Sequence, residues 1–187
     1  MNKVIVAGID EVGRGAWAGP IVAAAVVFLK PNKLKVVDSK QLNFAQREKL
    51  SKEIKRRAVW SLGIVSSFDI DRLGLQKANI LAAQRAANNL PIKPDLLKVD
   101  MIRKFTHPID FELIIRGDSK VREISAASII AKDHRDKMMI ELHQHYKHYR
   151  FDLHKGYGTE LHQQLLKQYG ASVLHRTSFA PIARLTS

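Results

Sequence analysis

The sequence contains no cysteine, which removes disulfides, thiolate zinc sites and a cysteine nucleophile together. That absence suits a reducing, cytoplasmic setting. Long apolar runs are also missing. Val4 to Ile9 is broken at once by Asp10-Glu11, too soon for a signal peptide or a membrane span, and the longest other run, Ile21 to Leu29, reads as a buried strand. No internal repeat or low-complexity linker interrupts the chain, and its 187 residues suit one domain over 1–187. Acid is in short supply: 18 Asp and Glu face 31 Lys and Arg, a formal charge of +13. With 45% hydrophobic and 26% charged residues the chain is a folded protein rather than a disordered one, so the excess charge points to a polyanionic partner. Charge narrows the partner, not the chemistry.

The periodicity predicts strands over Val4–Ile9 and Ile21–Leu29, joined by the glycine-studded segment Asp10 to Pro20. An amphipathic helix follows from an Asn43 cap, with Gln46 three residues on and Leu50 and Ile54 four apart. Its other face is basic, Arg47 and Lys49 to Arg57, and reads mostly as solvated surface. Next come a strand over Val59–Ser66, a helix from Asp71 to Leu90 ended by Pro91 and Pro94, and strands over Leu96–Asp100 and Phe111–Arg116. A helix from Ser119 to Tyr146 and one from Thr159 to Tyr169, stopped by Gly170, complete the chain. The order indicates an α/β fold with a mixed sheet flanked by helices.

Three predicted strands end at or near acids: Asp10 with Glu11, Asp100, and Asp118. A lone Asp-Glu pair at a strand end is ordinarily a solvated turn. Strands of one sheet, however, can bring such ends together from distant parts of the sequence. Four clustered carboxylates repel one another unless cations neutralise them, and all-oxygen ligands select magnesium or manganese over zinc. Two such ions about 3.5–4 Å apart can activate water on one side of a phosphodiester and stabilise the leaving oxygen on the other. The rival metal site, His143, His145 and His148, has the wrong spacing for a shared helix face. Asp136 lies well inside the long helix and reads as a partner of Lys132 or Arg135 rather than a fifth ligand.

With these residues in view, the chain resembles ribonuclease HII along nearly its whole length. The resemblance is carried by GIDEVGRGAWAGPIVAAAV from Gly8, DSKQL from Asp38, Val99-Asp100, GDS from Gly117, ISAASIIAKDHRD from Ile124, HKGYGTELH from His154 and HRTSFAPI from His175, in fixed order. It implies a ribonuclease H-like fold with Asp10, Glu11, Asp100 and Asp118 as catalytic metal ligands, and Mg2+ or Mn2+ as cofactor, two ions with substrate bound. It also implies cleavage of the RNA strand of RNA–DNA hybrids, and 5′ of ribonucleotides embedded in duplex DNA, leaving 5′-phosphate and 3′-hydroxyl ends.

The substrate-binding set implied by the resemblance is Gly13, Arg14 and Gly15 with Tyr157 at the junction sugars, Lys40 near a phosphate, and Ser128 and Lys132 on one helix face toward the site. On the residues alone Gly13 and Gly15 could form a mere tight turn, Lys40 an ordinary surface lysine, and Ser128 a small packing residue. A monomer, recruited to DNA by a replication clamp, is the expected assembly. Arginine at position 14, and the nearness of Asp10 to Met1, separate the sequence from ribonuclease HIII with its extra N-terminal domain. Three departures stand out: Ala16-Trp17 where Pro-Leu is common, Asp133 at a usually apolar position, and Met101 where glycine is frequent. Met101 could crowd Asp100. His162 and His175 fall in matched motifs without an evident role.

Overall fold

A computed structural model of the protein describes residues 4–30, 34, 36 and 42–186. Its centre is a five-stranded sheet in the order β3-β2-β1-β4-β5. The strands are β1 (Val6–Val12), β2 (Ile21–Val27), β3 (Val59–Val65), β4 (Leu96–Asp100) and β5 (Phe111–Ile114). β1 pairs antiparallel with β2 and β2 with β3, whereas β1–β4 and β4–β5 are parallel, so the sheet is mixed. β2 lies buried along its whole length, which explains its unbroken run of Ile, Val and Ala.

Strand alternation sorts side chains between two cores. Ile9, Ala23, Ala25, Leu97 and Val99 pack beneath α3 (Leu75–Asn88), an alanine-rich helix whose small side chains permit close approach. Val22, Ala24 and Val26 face the opposite side, against α1 (Phe44–Arg57) and the long α5 (Arg122–His145). Asn43 caps α1 through a reciprocal pair of hydrogen bonds with Gln46, as its spacing predicts. Ser51 of α1 donates to Asp133 of α5 at 2.8 Å, and Lys55 and Lys137 reach the same carboxylate. The acid at position 133 thus replaces apolar packing with a bridge between helices.

Several boundaries differ from the sequence reading. β1 begins at Val6 and runs through Asp10 and Glu11 to Val12, because its ladder with β2 continues to Val12–Val22. β2 and β5 stop at Val27 and Ile114, earlier than expected. The helix expected over Asp71–Leu90 is two, α2 (Ser67–Leu73) and α3, parted at Gly74, where φ is +80°. Likewise the helix expected from Ser119 is α4 (Gly117–Lys120) and α5, separated by extended Val121. Asp118 therefore sits in a short helix, not at a strand end. After α5 the chain passes through a 3-10 turn at Lys147–Tyr149 to α6 (Phe151–His154), α7 (Glu160–Tyr169) and α8 (Ala180–Thr186). Thr159 caps α7 and Gly170 ends it, as expected.

At Gly8, α5 lies directly on β1: a Cβ there would overlap the backbone of Glu123 and Ile124. Gly8→Ala should therefore destabilise the protein by about 1–3 kcal/mol through overpacking, measured as a lower midpoint in urea at unchanged slope. An unchanged midpoint would show that α5 yields freely.

Candidate active site

Parity along β1 decides which acids face which side. Ile9 points to the α3 core, so Asp10 points toward α5 and Glu11 back toward α3, where Asn79 donates to it at 3.1 Å. The parallel register pairs Ile9 with Val99, so Asp10 and Asp100 come next on adjacent strands and on the same face. Asp100 Oδ1 accepts the Gly117 N–H at 2.8 Å, which seats α4 and brings Asp118 beside it. Arg116, in the left-handed region at φ +55°, makes the turn into α4.

These four acids line one cavity of about 490 Å³, and Arg47, Ser128, Lys132 and Tyr157 form the rest of its polar wall. Ser128 hydrogen-bonds the Asp10 carboxyl. Lys132 and Arg47 are both held by Asp136, at 2.7 and 3.2 Å, so two cations are fixed at the wall by one buried acid. Asp136 partners Lys132, as read from the sequence, and Arg47 in addition. Tyr157 lies beneath cations: Lys132 Nζ is 5.4 Å and the Arg135 guanidinium 5.2 Å from its ring centre.

Gly13, Arg14 and Gly15 form a turn beside the cavity. A Cβ at Gly13, whose φ is +88°, would overlap the Arg135 side chain, whereas Gly15 faces open space. Arg14 is exposed, and its charge reaches Glu11. Met101 is exposed and outside the cavity wall, so it does not crowd Asp100. Lys40 and the segment from Asp38 to Gln41 lie outside the described residues. His143 pairs with Asp152 at 3.3 Å, His145 is exposed and His148 packs on Tyr149 and Tyr169, so these three share no site.

Arg47, expected on a solvated face, instead joins the cavity wall, and Arg135, expected as a partner of Asp136, instead binds backbone carbonyls; Asn79 is absent from the sequence reading. Asn79 did carry a signal, a polar residue inside the buried alanine stripe of α3. Arg135, fully buried, donates to the carbonyls of Pro20, Ala18 and Lys155, contacts that no spacing reveals.

Burial, then the charges of Glu11 and Asp100, hold the Asp10 carboxyl well above its ordinary pKa; the Ser128 bond opposes them. Burial raises Glu11 as well, against the Asn79 bond, and the Asp100 charge adds to it. Glu11 Oε2 is buried without a hydrogen-bond partner. No three acids or histidines of the described residues stand as a ready-made metal cluster. The fit to hard cations rests instead on four oxygen-donor acids in one cavity, an orphaned carboxylate oxygen, and two carboxyls whose ionisation is penalised.

A mixed sheet that gathers acids from β1, β4 and α4 into one cavity, with basic residues on its wall, defines a ribonuclease H-like nuclease. The family model for ribonuclease HII matches residues 7–182. Ribonuclease HII from one strain of Thermus thermophilus is 46% identical over 182 residues, covering 97% of this chain and 89% of that protein. Ribonuclease H2 of Pyrococcus horikoshii OT3 superposes with a TM-score of 0.82 at 28% identity, over 97% of each chain. The enzyme in the PCNA:RNase HII complex of Archaeoglobus fulgidus shares the fold, with a TM-score of 0.78 at 24% identity over 97% of each chain. The chain belongs to the ribonuclease HII family, and is a metal-dependent endoribonuclease of the ribonuclease H class.

Raised carboxyl pKa values carry a sign for stability. A group whose folded pKa exceeds its unfolded value favours folding at low pH and opposes it once pH rises through the folded pKa. Asp10→Asn should therefore raise the melting temperature at pH 7 in metal-free buffer, with the gain shrinking as pH falls toward the ordinary carboxylate range. A variant less stable than wild type at pH 7 would show that Asp10 is a structural rather than a strained group.

Proposed function

We propose that this ribonuclease H cuts 5′ of ribonucleotides embedded in duplex DNA as well as within RNA–DNA hybrids, leaving 5′-phosphate and 3′-hydroxyl ends. The observation that carries this reading is the convergence of Asp10, Glu11, Asp100 and Asp118 on one cavity whose wall also holds Lys132, Arg47 and Tyr157. These four acids would hold two Mg2+ or Mn2+ ions. Bound there, the cations supply the positive charge that favours ionised water as nucleophile and offsets charge developing on the leaving oxygen.

The remaining steps belong to the chain's own residues. Ser128 and Asn79 orient the carboxyls of Asp10 and Glu11 by hydrogen bonds. Arg47 and Lys132 hold phosphates flanking the scissile one, and Asp136 fixes where those cations stand. The turn at Gly13-Arg14-Gly15 senses the ribose 2′-hydroxyl, the group that tells RNA from DNA, with open space at Gly15 for a close sugar. Tyr157 packs on the neighbouring deoxyribose. A replication clamp is the partner suggested by the Archaeoglobus complex.

A labelled duplex with a lone ribonucleotide, mapped at base resolution with and without Mg2+ or Mn2+, tests the reading directly. One metal-dependent cut on the 5′ side is expected, and Asp10→Asn should abolish it while folding persists; a cut elsewhere, or near-normal turnover of Asp10→Asn, would overturn it. Tyr157→Ala should lose more activity on the lone ribonucleotide than on a long hybrid, which offers many registers. Equal losses would remove Tyr157 from junction reading.

Substrate affinity should also fall steeply with salt, about −0.9 in log–log slope for each phosphate neutralised. Replacing Arg47 with Ala should reduce that slope by about 1 while weakening all sequences alike. An unchanged slope would place Arg47 away from phosphate.

A further inference from the structure

Two residues adjacent in the chain, His175 and Arg176, connect to the two halves of the site assigned to junction recognition, Arg176 directly and His175 through His162. Arg176 is fully buried and gives its side-chain hydrogen bonds to backbone carbonyls: Nε and Nη2 to Gly19 at 3.1 and 2.8 Å, Nη1 to Arg14 at 3.0 Å. Burial, with the Arg135 charge adding to it, pushes its pKa down to about 9, so it stays charged at neutral pH. The backbone joins in the same grip. Arg176 N–H donates to the Trp17 carbonyl at 2.8 Å, and Gly19 N–H donates to Leu174 at 2.9 Å.

His175 faces the other half through His162, and the backbone partners of the two rings place their protons. Ser172 N–H can only donate, so His175 Nδ1, 2.9 Å away, is the acceptor and the ring proton sits on Nε2. The Tyr157 carbonyl can only accept, so His162 Nδ1, 3.0 Å away, carries the proton and His162 Nε2 is bare. The two assignments are independent. They meet at the 3.0 Å contact between the two Nε2 atoms with one proton available for it, donated by His175 and accepted by His162. A second proton on His162 would set two N–H groups against each other. Burial keeps both rings neutral, pushing His162 down to about 3 and His175 down to about 4. His154, stacked on His162 at 4.2 Å, accepts the Gly156 N–H through Nδ1 and donates from Nε2 to the Tyr149 carbonyl.

We propose that His175 and Arg176 are positioning residues for ribonucleotide recognition, registering the Gly13–Gly15 turn against Tyr157: Arg176 grips the Arg14 and Gly19 carbonyls, and His175 holds the Tyr157 carbonyl by way of His162. The inference rests on the reading that the turn and Tyr157 sense the junction. Sensing one hydroxyl needs both walls held within about 0.5 Å, which two separate loops do not provide unaided.

Paired substitutions separate positioning from plain packing. In His175→Gln the amide reaches the Nε2 position and can still donate to His162; in His175→Asn it stops near Nδ1 and the link is cut. Arg176→Lys keeps the charge and loses the fork. His175→Asn and Arg176→Lys should each lower kcat/KM on a lone-ribonucleotide duplex about tenfold or more, with a smaller loss on a long hybrid, and His175→Gln should recover most of it. In a Tyr157→Ala background the His175→Asn loss should vanish. Equal losses on both substrates, full additivity with Tyr157→Ala, or a His175→Gln as impaired as His175→Asn would overturn the proposal.

Imidazole nitrogen NMR of the wild type supplies a readout that needs neither folding of a variant nor the junction reading. His162 as the Nδ1–H tautomer and His175 as the Nε2–H tautomer support the link; any other pairing overturns it. If Tyr157→Ala loses equally on both substrates while the tautomers are as stated, the junction role of Tyr157 fails and the positioning of its segment stands.

Discussion

The seating of α5 on β1 at Gly8 is the contact on which the site depends. Without a side chain at that point the helix backbone lies against the strand, and the two elements then run side by side in the same direction. A strand rises roughly 3.3 Å and a helix 1.5 Å per residue, so the five residues from Gly8 to Gly13 and the eleven from Ile124 to Arg135 both span roughly 16 Å. The matches along the way follow. Ile124 meets Gly8, Ser128 reaches Asp10, and Arg135 lies under Gly13. Ile124, Ser128, Lys132 and Asp136 recur every four residues, so one stripe of the helix serves packing, carboxylate orientation and cation placement in turn.

Electrostatics at the site run against the interests of the free fold. A chain with a formal charge of +13 places two of its few acids, Asp10 and Glu11, where burial and mutual repulsion penalise ionisation. Beneath the neighbouring turn it buries two guanidiniums, Arg135 and Arg176, whose hydrogen bonds go to carbonyls. Buried charge of either sign destabilises unless its hydrogen bonds are met. The guanidiniums meet theirs inside the protein and so act as scaffold. Glu11 does not, since its Oε2 is buried without a hydrogen-bond partner, and so it remains available to a ligand.

The α/β class, the sheet's mixed character and the four acids were legible in the sequence because each has a local signature: apolar runs of strand length, and acids where those runs stop. The residues' exact setting was not. Asp10 and Glu11 look like a strand end, yet they lie inside β1, since pairing with β2 carries the ladder on to Val12. Asp118 belongs to a four-residue helix whose position depends on the Gly117–Asp100 bond, a contact 17 residues apart. Gly74 is the visible cause of the break before α3, masked in the sequence by the alanine-rich helical pattern that follows it. Arg47 looked like one more cation on a basic face; only the partner, Asp136, 89 residues away, distinguishes it. Periodicity reports burial and direction, and such long-range polar pairings leave no trace in it.

The turn after β1 shows how one short motif can answer to two constraints. Gly13 and Gly15 look equivalent in sequence, as residues that let a backbone approach a sugar. In the fold they differ. Gly13 has positive φ and its missing side chain leaves room for Arg135 below; Gly15 faces open space. The inner side of the turn is thus filled by the scaffold, with Arg135 under Gly13 and Arg176 holding the Arg14 carbonyl, while its outer side is left bare beside the cavity. A loop shaped only for flexibility would need no such filling. Packing rigid guanidiniums beneath it removes the freedom that its glycines confer, so the bare edge is presented in one conformation rather than many.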